Sequence, residues 1–228
     1  MKKKLIAVIA LATLSLPAIC LATPPHPGPY VSGFMGVSAL TNTDVTSTTF
    51  GPGATTFNDR VEFDPGINIG GVGGFDFGFL RMEGELSYKN GEMSKITEQI
   101  SGTRFANVDG RLGAFAMMFN AFLDLHNATR VTPYFGGGVG FATLHLSDTF
   151  GTDTTTGNRS RLYRSDDDTV FAYQAGGGLE IAFTPMFSLD LGYRYFGTAK
   201  GKFNNHSSTA TELKLESHNA SVGLRIKF

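Results

Sequence analysis

The feature that most constrains this chain is the strict alternation from Phe171 to Tyr195, FAYQAGGGLEIAFTPMFSLDLGYRY. Alternation of period two belongs to a β-strand, and a minimal turn at Thr184-Pro185-Met186 divides the stretch into two. Before the turn, Phe171, Tyr173, Leu179, Ile181 and Phe183 share one face, and Gln174, Gly176, Gly178 and Glu180 share the other. After it, Phe187, Leu189, Leu191, Tyr193 and Tyr195 oppose Ser188, Asp190, Gly192 and Arg194. The oily side is continuous, with aromatics at both ends, while the other side carries glycines and unlike charges. Such a strand suits a soluble sandwich if its oily side is covered by protein, or a membrane barrel if that side meets lipid. A tilted transmembrane strand needs ~9 to 11 residues with aromatic girdles at the two interfaces. This hairpin has those dimensions.

The stretch from Ile67 to Lys89 favours the barrel. It reads as a pair of strands, Ile67 to Phe77 and Phe79 to Lys89, linked at Gly78. On the second strand, Leu80, Met82, Leu86 and Tyr88 alternate with Arg81, Glu83, Glu85, Ser87 and Lys89. Four charges on one face are untenable in a dry core unless each is paired. A narrow barrel interior lets them pair with one another and with trapped water.

Export is written at the N-terminus. Lys2, Lys3 and Lys4 precede an apolar run from Leu5 to Leu16, then Pro17 and the small-residue ending Cys20-Leu21-Ala22. This is the pattern of a secretory signal, too short to span a bilayer. Residues 1–22 are therefore expected to be removed, and 23–29 to form a short extended periplasmic leader rich in proline. Ile19 stands where lipidation of Cys20 would want a small residue. With Cys20, the only cysteine, goes any disulfide or thiol chemistry. The mature chain keeps 16 basic against 20 acidic residues. That balance lacks the basic stripe of a nucleic-acid partner.

The remaining strands follow the same logic. Tyr30 to Leu40 places Val31, Met35 and Val37 opposite Ser32, Gly36 and Ser38, with Phe34 breaking the pattern. Asn107 to Leu125 and Val131 to Leu146 form another pair around His126 to Arg130; the facing of Ala114 to Leu125 stays open, though Asp109 and Arg111 favour odd positions inward. The final strand ends in Val222, Leu224, Ile226 and Phe228 alternating with Ser221, Gly223, Arg225 and Lys227. Leu213 and Leu215 fall in the opposite register, which requires a bulge or a position above the membrane. Four long polar segments, Thr41 to Arg60, Asn90 to Ala106, Ser147 to Thr169 and Gly197 to Ala210, read as irregular loops. The expectation is all-β: an eight-stranded antiparallel up-and-down transmembrane β-barrel over residues 30–228, with short periplasmic turns and long external loops.

The segments IGGVGGFDF with LRMEGELSY, FNAFLDL with TPYFGGGVGFA, AGGGLEIAFTP with LDLGYRY, and the terminal VGLRIKF together resemble the eight-stranded outer-membrane barrels of the OmpA-like and opacity-type surface antigen families. The resemblance covers every strand but the first. It implies that Phe228, with Val222, Leu224 and Ile226 before it, is read by the outer-membrane assembly machinery, and that Glu83, Glu180 and Arg194 line the lumen. OmpA proper continues into a peptidoglycan-binding domain; this chain stops at Phe228, so that function is not expected here.

Candidate sites are few. The glycine clusters at 70–74, 136–140 and 176–178 are no phosphate cradle, because no helix follows them. Arg81, Glu83, Glu85, Asp109, Arg111, Glu180, Asp190, Arg194 and Arg225 are expected as a luminal charge network, a polar core before an ion path. A lipid A-modifying enzyme would need a histidine and serine acting together, yet His218 and Ser221 lie on opposite faces of one strand. The other histidines, His26, His126, His145 and His206, are scattered, so no metal or other cofactor is expected. Asp166 to Asp168 reads as a solvated charge run before a calcium site, and Arg159, Arg161 and Arg164 as possible contacts to lipopolysaccharide phosphates. The expectation is a monomeric, non-enzymatic surface protein of the Gram-negative outer membrane, meeting lipid, lipopolysaccharide and a host or surface ligand through its loops. The alternative is a small-solute channel.

Overall fold

The computed structural model describes residues 27–49, 55–99, 102–203 and 209–228; the expected signal at 1–22 and residues 23–26 lie outside the described residues. The elements are β1 (Gly28–Leu40), β2 (Thr43–Thr49), β3 (Thr56–Asp64), β4 (Gly66–Asp76), β5 (Leu80–Glu98), β6 (Arg104–Ala106), β7 (Gly110–Asp124), β8 (Val131–Leu146), β9 (Thr149–Asp153), β10 (Arg159–Tyr163), β11 (Asp166–Ala182), β12 (Phe187–Thr198), β13 (Gly201–Phe203), β14 (Thr209–Leu213) and β15 (Glu216–Lys227). Eight of them close a ring in the order β1, β4, β5, β7, β8, β11, β12, β15 and back to β1, every pairing antiparallel. Closure leaves the wall no open edge.

Three short connections gather at one end, after β4, β7 and β11. The tightest needs Gly78, whose φ of 105° is awkward for any residue with a Cβ. There the Phe77 amide donates to the Leu80 carbonyl at 2.8 Å, and the Gly78 amide to Asp76 Oδ1 at 2.7 Å. The Phe228 amide meets the Pro29 carbonyl at 3.0 Å, so both ends of the ring share this side. Gly28 and Pro29 already belong to β1 and are not leader.

The wall is inverted relative to a soluble protein. Phe171, Tyr173, Leu179, Phe187, Leu191 and Tyr193 face outward, as do Met82, Leu86, Val222 and Leu224, while Gln174, Glu180, Ser188, Arg81, Glu83, Glu85, Lys89 and Arg225 are buried inside. Phe34 is no interruption. It points inward with its neighbours at even positions, beneath the Arg194 guanidinium at 5.9 Å.

Three expectations need correction. First, β7 turns its even positions inward: Leu112, Ala114, Ala116, Met118, Asn120, Phe122 and Asp124 are buried, while Phe115, Met117, Phe119 and Leu123 are exposed. Asp109 and Arg111 had argued for the reverse, but both lie beyond the membrane, where the outer surface is wet. Second, the described parts of the long segments are largely strand and not irregular. β5 runs for 19 residues and β11 for 17, well beyond the ~9 to 11 that cross a bilayer. The excess of β5 pairs with β3 and β6, and through them β2, β14 and β13 on one side and β9 and β10 on the other join a sheet standing above the wall. Third, the interior is not polar throughout. Leu213 and Leu215 are 1% exposed and continue the inward parity of Ser217, Asn219 and Arg225 without a bulge. The filling changes, and the register does not.

Candidate functional site

Two storeys fill the barrel, and together they determine what it can do. In the lower storey, six carboxylates (Asp76, Glu83, Glu85, Asp124, Glu180, Asp190) meet five cations (Arg81, Lys89, Arg194, Arg225, Lys227). Near the turns, Lys227 Nζ lies 3.1 Å from both Asp76 and Glu180. Arg225 pairs with Glu180 and, at 2.8 Å, with Asp190, which also accepts a 2.7 Å hydrogen bond from the Tyr134 hydroxyl. Arg81 reaches Asp124 at 2.7 Å while its guanidinium lies 4.4 Å from the Tyr134 ring centre. Glycine at 178 makes room for that ring, since a Cβ there would stand 2.5 Å from the Tyr134 hydroxyl.

Further up, Tyr30 donates to Glu83 at 2.5 Å, and Arg194 joins Glu83 and Glu85. Glu85 also accepts from Gln174 at 2.8 Å and Asn120 at 3.0 Å, and Lys89 closes the series against Ser87 at 2.7 Å and the Phe196 ring at 4.5 Å. Burying such ions costs several kcal/mol each unless partners compensate, and here each has them. Two internal gaps of about 10 Å³ lie beside Arg194, room for about one water apiece. The larger cavity, about 230 Å³, opens between the turns and is lined by His126, Arg130, Glu180 and Lys227. Burial there holds the His126 imidazole below its ordinary pKa.

Above Lys89 the filling turns apolar. Leu40, Leu112, Ala114, Leu144, Leu146, Phe196, Leu213 and Leu215 pack with Val45, Val61, Met93, Ile96, Tyr163 and Phe203, which come from the sheet above the wall. The lumen is thus stoppered at the end away from the short turns by the base of this crown. Within the crown the Tyr163 hydroxyl of β10 donates to Asp59 of β3 at 2.7 Å. Burial raises the Asp59 pKa, the Tyr163 hydrogen bond partly opposes this, and the Glu98 charge adds to it. Burial likewise pushes the Tyr163 phenol upward.

Of the residues expected in the lumen, Arg81, Glu83, Glu85, Glu180, Asp190, Arg194 and Arg225 are brought together. Asp109 and Arg111 are not: they form exposed pairs with Arg159 at 2.6 Å and with Glu92 at 2.9 Å. Asp76, Lys89, Asp124, Lys227, Tyr30 and Tyr134 complete the network. Counting parity to the last residue of each strand finds the two aspartates, but tyrosine at an inward position carries no such signal. Val222, Leu224 and Phe228 are exposed on the lipid face. Arg161 and Arg164 are exposed on and just past β10. The acidic run is engaged locally, with Asp167 2.5 Å from His145 and Asp168 accepting from the Lys202 amide at 2.7 Å. No group of three metal-ligating side chains occurs among the described residues. His218 faces outward, bonded to Tyr193 at 2.7 Å, and Ser221 faces the lumen gaps.

An inverted, closed wall with a charged filling defines an outer-membrane β-barrel protein. The family description "outer membrane protein beta-barrel domain" matches residues 6–228, and the chain belongs to that family. It is 26% identical over 226 residues to outer membrane protein PagN of Salmonella typhimurium strain LT2, covering 88% of this chain and 90% of PagN. Among solved structures, OprG of Pseudomonas aeruginosa superposes with a TM-score of 0.50 at 10% identity, covering 88% of this chain and 97% of OprG. Neisserial surface protein A gives 0.47 at 19%, with coverage of 88% and 97%. At such identities the likeness to OprG speaks for the fold alone. The protein resides in the outer membrane of a Gram-negative bacterium.

Proposed function

We propose that this barrel is a non-enzymatic scaffold that holds a folded β-sheet crown above the outer membrane for recognition of a surface ligand. One observation carries the reading: the external half of the interior is an apolar core shared between barrel strands and crown strands, Phe196 and Leu144 with Phe203, Val61 and Tyr163. A core of this kind fixes the crown rigidly to the wall, and rigid scaffolds beneath exposed segments are how recognition surfaces are usually presented. The same core argues against a solute channel, because no polar path crosses it. Opposite facing of His218 and Ser221 argues against lipid A chemistry. Arg161 and Arg164 are proposed to contact phosphates of neighbouring lipopolysaccharide from the crown; Arg159 already serves Asp109. We also infer a monomer whose terminal alternation, ending at Phe228, is read by the assembly machinery, and a signal removed from residues 1–22.

The test replaces the crown hairpin from Thr43 to Asp64 and the segment from Thr149 to Tyr163 with short turns. Barrel assembly is followed by heat-dependent electrophoretic mobility, and adhesion by attachment of expressing cells to host cells and matrix. The scaffold reading expects an assembled barrel with attachment lost. Attachment unchanged by the deletion, ion conductance of the intact protein in planar bilayers, or a change in lipid A mass on expression would each overturn it.

A further inference from the structure

At the end of the short turns the barrel mouth holds donors that the ion-pair network leaves unused. The cavity of about 230 Å³ there reaches inward to Glu180, Ser188 and Lys227 and is roofed by residues of the β7–β8 and β11–β12 turns. Both turns are fixed by their own side chains. Asn127 Oδ1 accepts a hydrogen bond from the Thr129 amide at 2.8 Å, and Thr184 Oγ1 accepts one from the Phe187 amide at 3.0 Å. The two turns are tied together where the Ala182 amide donates to the Arg130 carbonyl at 2.9 Å. Arg130 lines the cavity, and among the described residues its guanidinium has no carboxylate partner. The acid of the lining, Glu180, is already satisfied, because Oε1 meets Lys227 Nζ at 3.1 Å and Oε2 meets Arg225. Deeper in the mouth, Ser188 is 4% exposed, and its hydroxyl has no hydrogen-bond partner among the described residues. An enclosed hydroxyl without a partner is costly, so it marks a place where a ligand atom is expected to arrive.

We propose that this vestibule binds a small carboxylate that carries a short apolar body. The Arg130 guanidinium presents a planar fork that matches the two oxygens of a carboxylate, and Ser188 offers a hydroxyl donor from the inner side. Ala182, Pro185 and Met186 supply apolar lining for the rest of the molecule. Size narrows the class: sites for drug-sized ligands run to ~300–1,000 Å³, and this cavity is smaller. Charge narrows it further. An ammonium would face Arg130 and Lys227 with Glu180 already committed, whereas an anion completes the lining charge that lacks an opposite. Turns already held in place leave little to be ordered on binding. The ligand enters from the turn end, because the apolar core closes the other.

The full chain is folded into phosphatidylcholine nanodiscs and titrated with terminally trifluorinated butyrate. Binding is read from broadening of the fluorine NMR line, with empty nanodiscs as the baseline. Saturable broadening is expected, and the primary amide of the same acid should bind about tenfold more weakly for want of a charge-assisted contact. Arg130→Gln should lose about the same factor, and Ser188→Ala a smaller one in the same direction. Lys95→Gln, at an exposed pair on the crown, should bind as wild type does, and the heat-dependent mobility shift confirms that each variant is folded. Inorganic phosphate should compete less well than the acid, having no apolar part. Absence of saturable binding, equal binding of acid and amide, wild-type affinity in Arg130→Gln or Ser188→Ala, loss of binding in Lys95→Gln, or equal competition by phosphate would overturn the assignment.

Discussion

Adjacent residues on one strand meet opposite solvents. Met117 is 62% exposed toward lipid and Met118 2% exposed within the barrel. Met117→Arg should therefore destabilise by about 2–4 kcal/mol, the cost of a cation at the bilayer midplane. Met118→Ala should cost about 2–5 kcal/mol by leaving a cavity. Urea unfolding in phospholipid vesicles reads both, and if Met117→Arg is neutral, the facing assigned to β7 is wrong. Among the ion pairs, Arg81→Met strands Asp124 and Glu83 in a site with no solvent and should cost about 3–5 kcal/mol. Arg159→Ala removes a pair that is half in water and should shift stability by less than about 1 kcal/mol. The pairing of β7 residues with the two sides was illegible in the sequence for a physical reason. Alanine and methionine line the upper interior while phenylalanine and methionine face lipid, so both faces are apolar and alternation carries no contrast. Asp109 and Arg111 then misled, because above the membrane a charge prefers the outside.

The strands that make the wall were legible as elements because each crosses a boundary between lipid and a charged filling. Those of the crown were not. β2 reads TDVTSTT and β10 RSRLY, short runs whose polar faces meet water on the outside and whose few apolar residues, Val45 and Tyr163, are too sparse to set a period. Threonine favours extended backbone, yet it is equally at home in loops, so propensity alone could not separate the two. The contact between Tyr163 and Asp59 ties β10 to β3 across the crown, and its strength should vary with acidity. Because burial raises the Asp59 pKa on folding, the folded crown binds that proton more tightly than the unfolded chain does. Its contribution is therefore full at low pH and declines as pH rises from the ordinary carboxylate range through the raised value. Hydrogen exchange of β3 and β10 amides, corrected for intrinsic rates, should show greater protection on acidification. Asp59→Asn should flatten that dependence; an unchanged slope would assign it to other groups.

For the whole molecule, the two storeys act in series, so either one alone should hold the lumen closed. Phe196→Ala with Phe203→Ala opens the upper storey but leaves the ion pairs beneath, and planar bilayers containing this variant should still show no steady conductance. Sustained current would mean that the lower storey is loose enough for ions to pass.

The ring is finished by β1 against β15, from Tyr30 opposite Lys227 to Leu40 opposite Ser217. Its first and final strands are thus each other's only completion, so neither can be satisfied while the chain is still emerging. Until they meet, two long rows of amide and carbonyl groups stand bare, open to any passing strand and untenable in hydrocarbon. Loop closure over nearly the entire polypeptide is slow, and the unfinished cylinder must be shielded in transit and brought together at the bilayer, with insertion and zipping of that seam as one event.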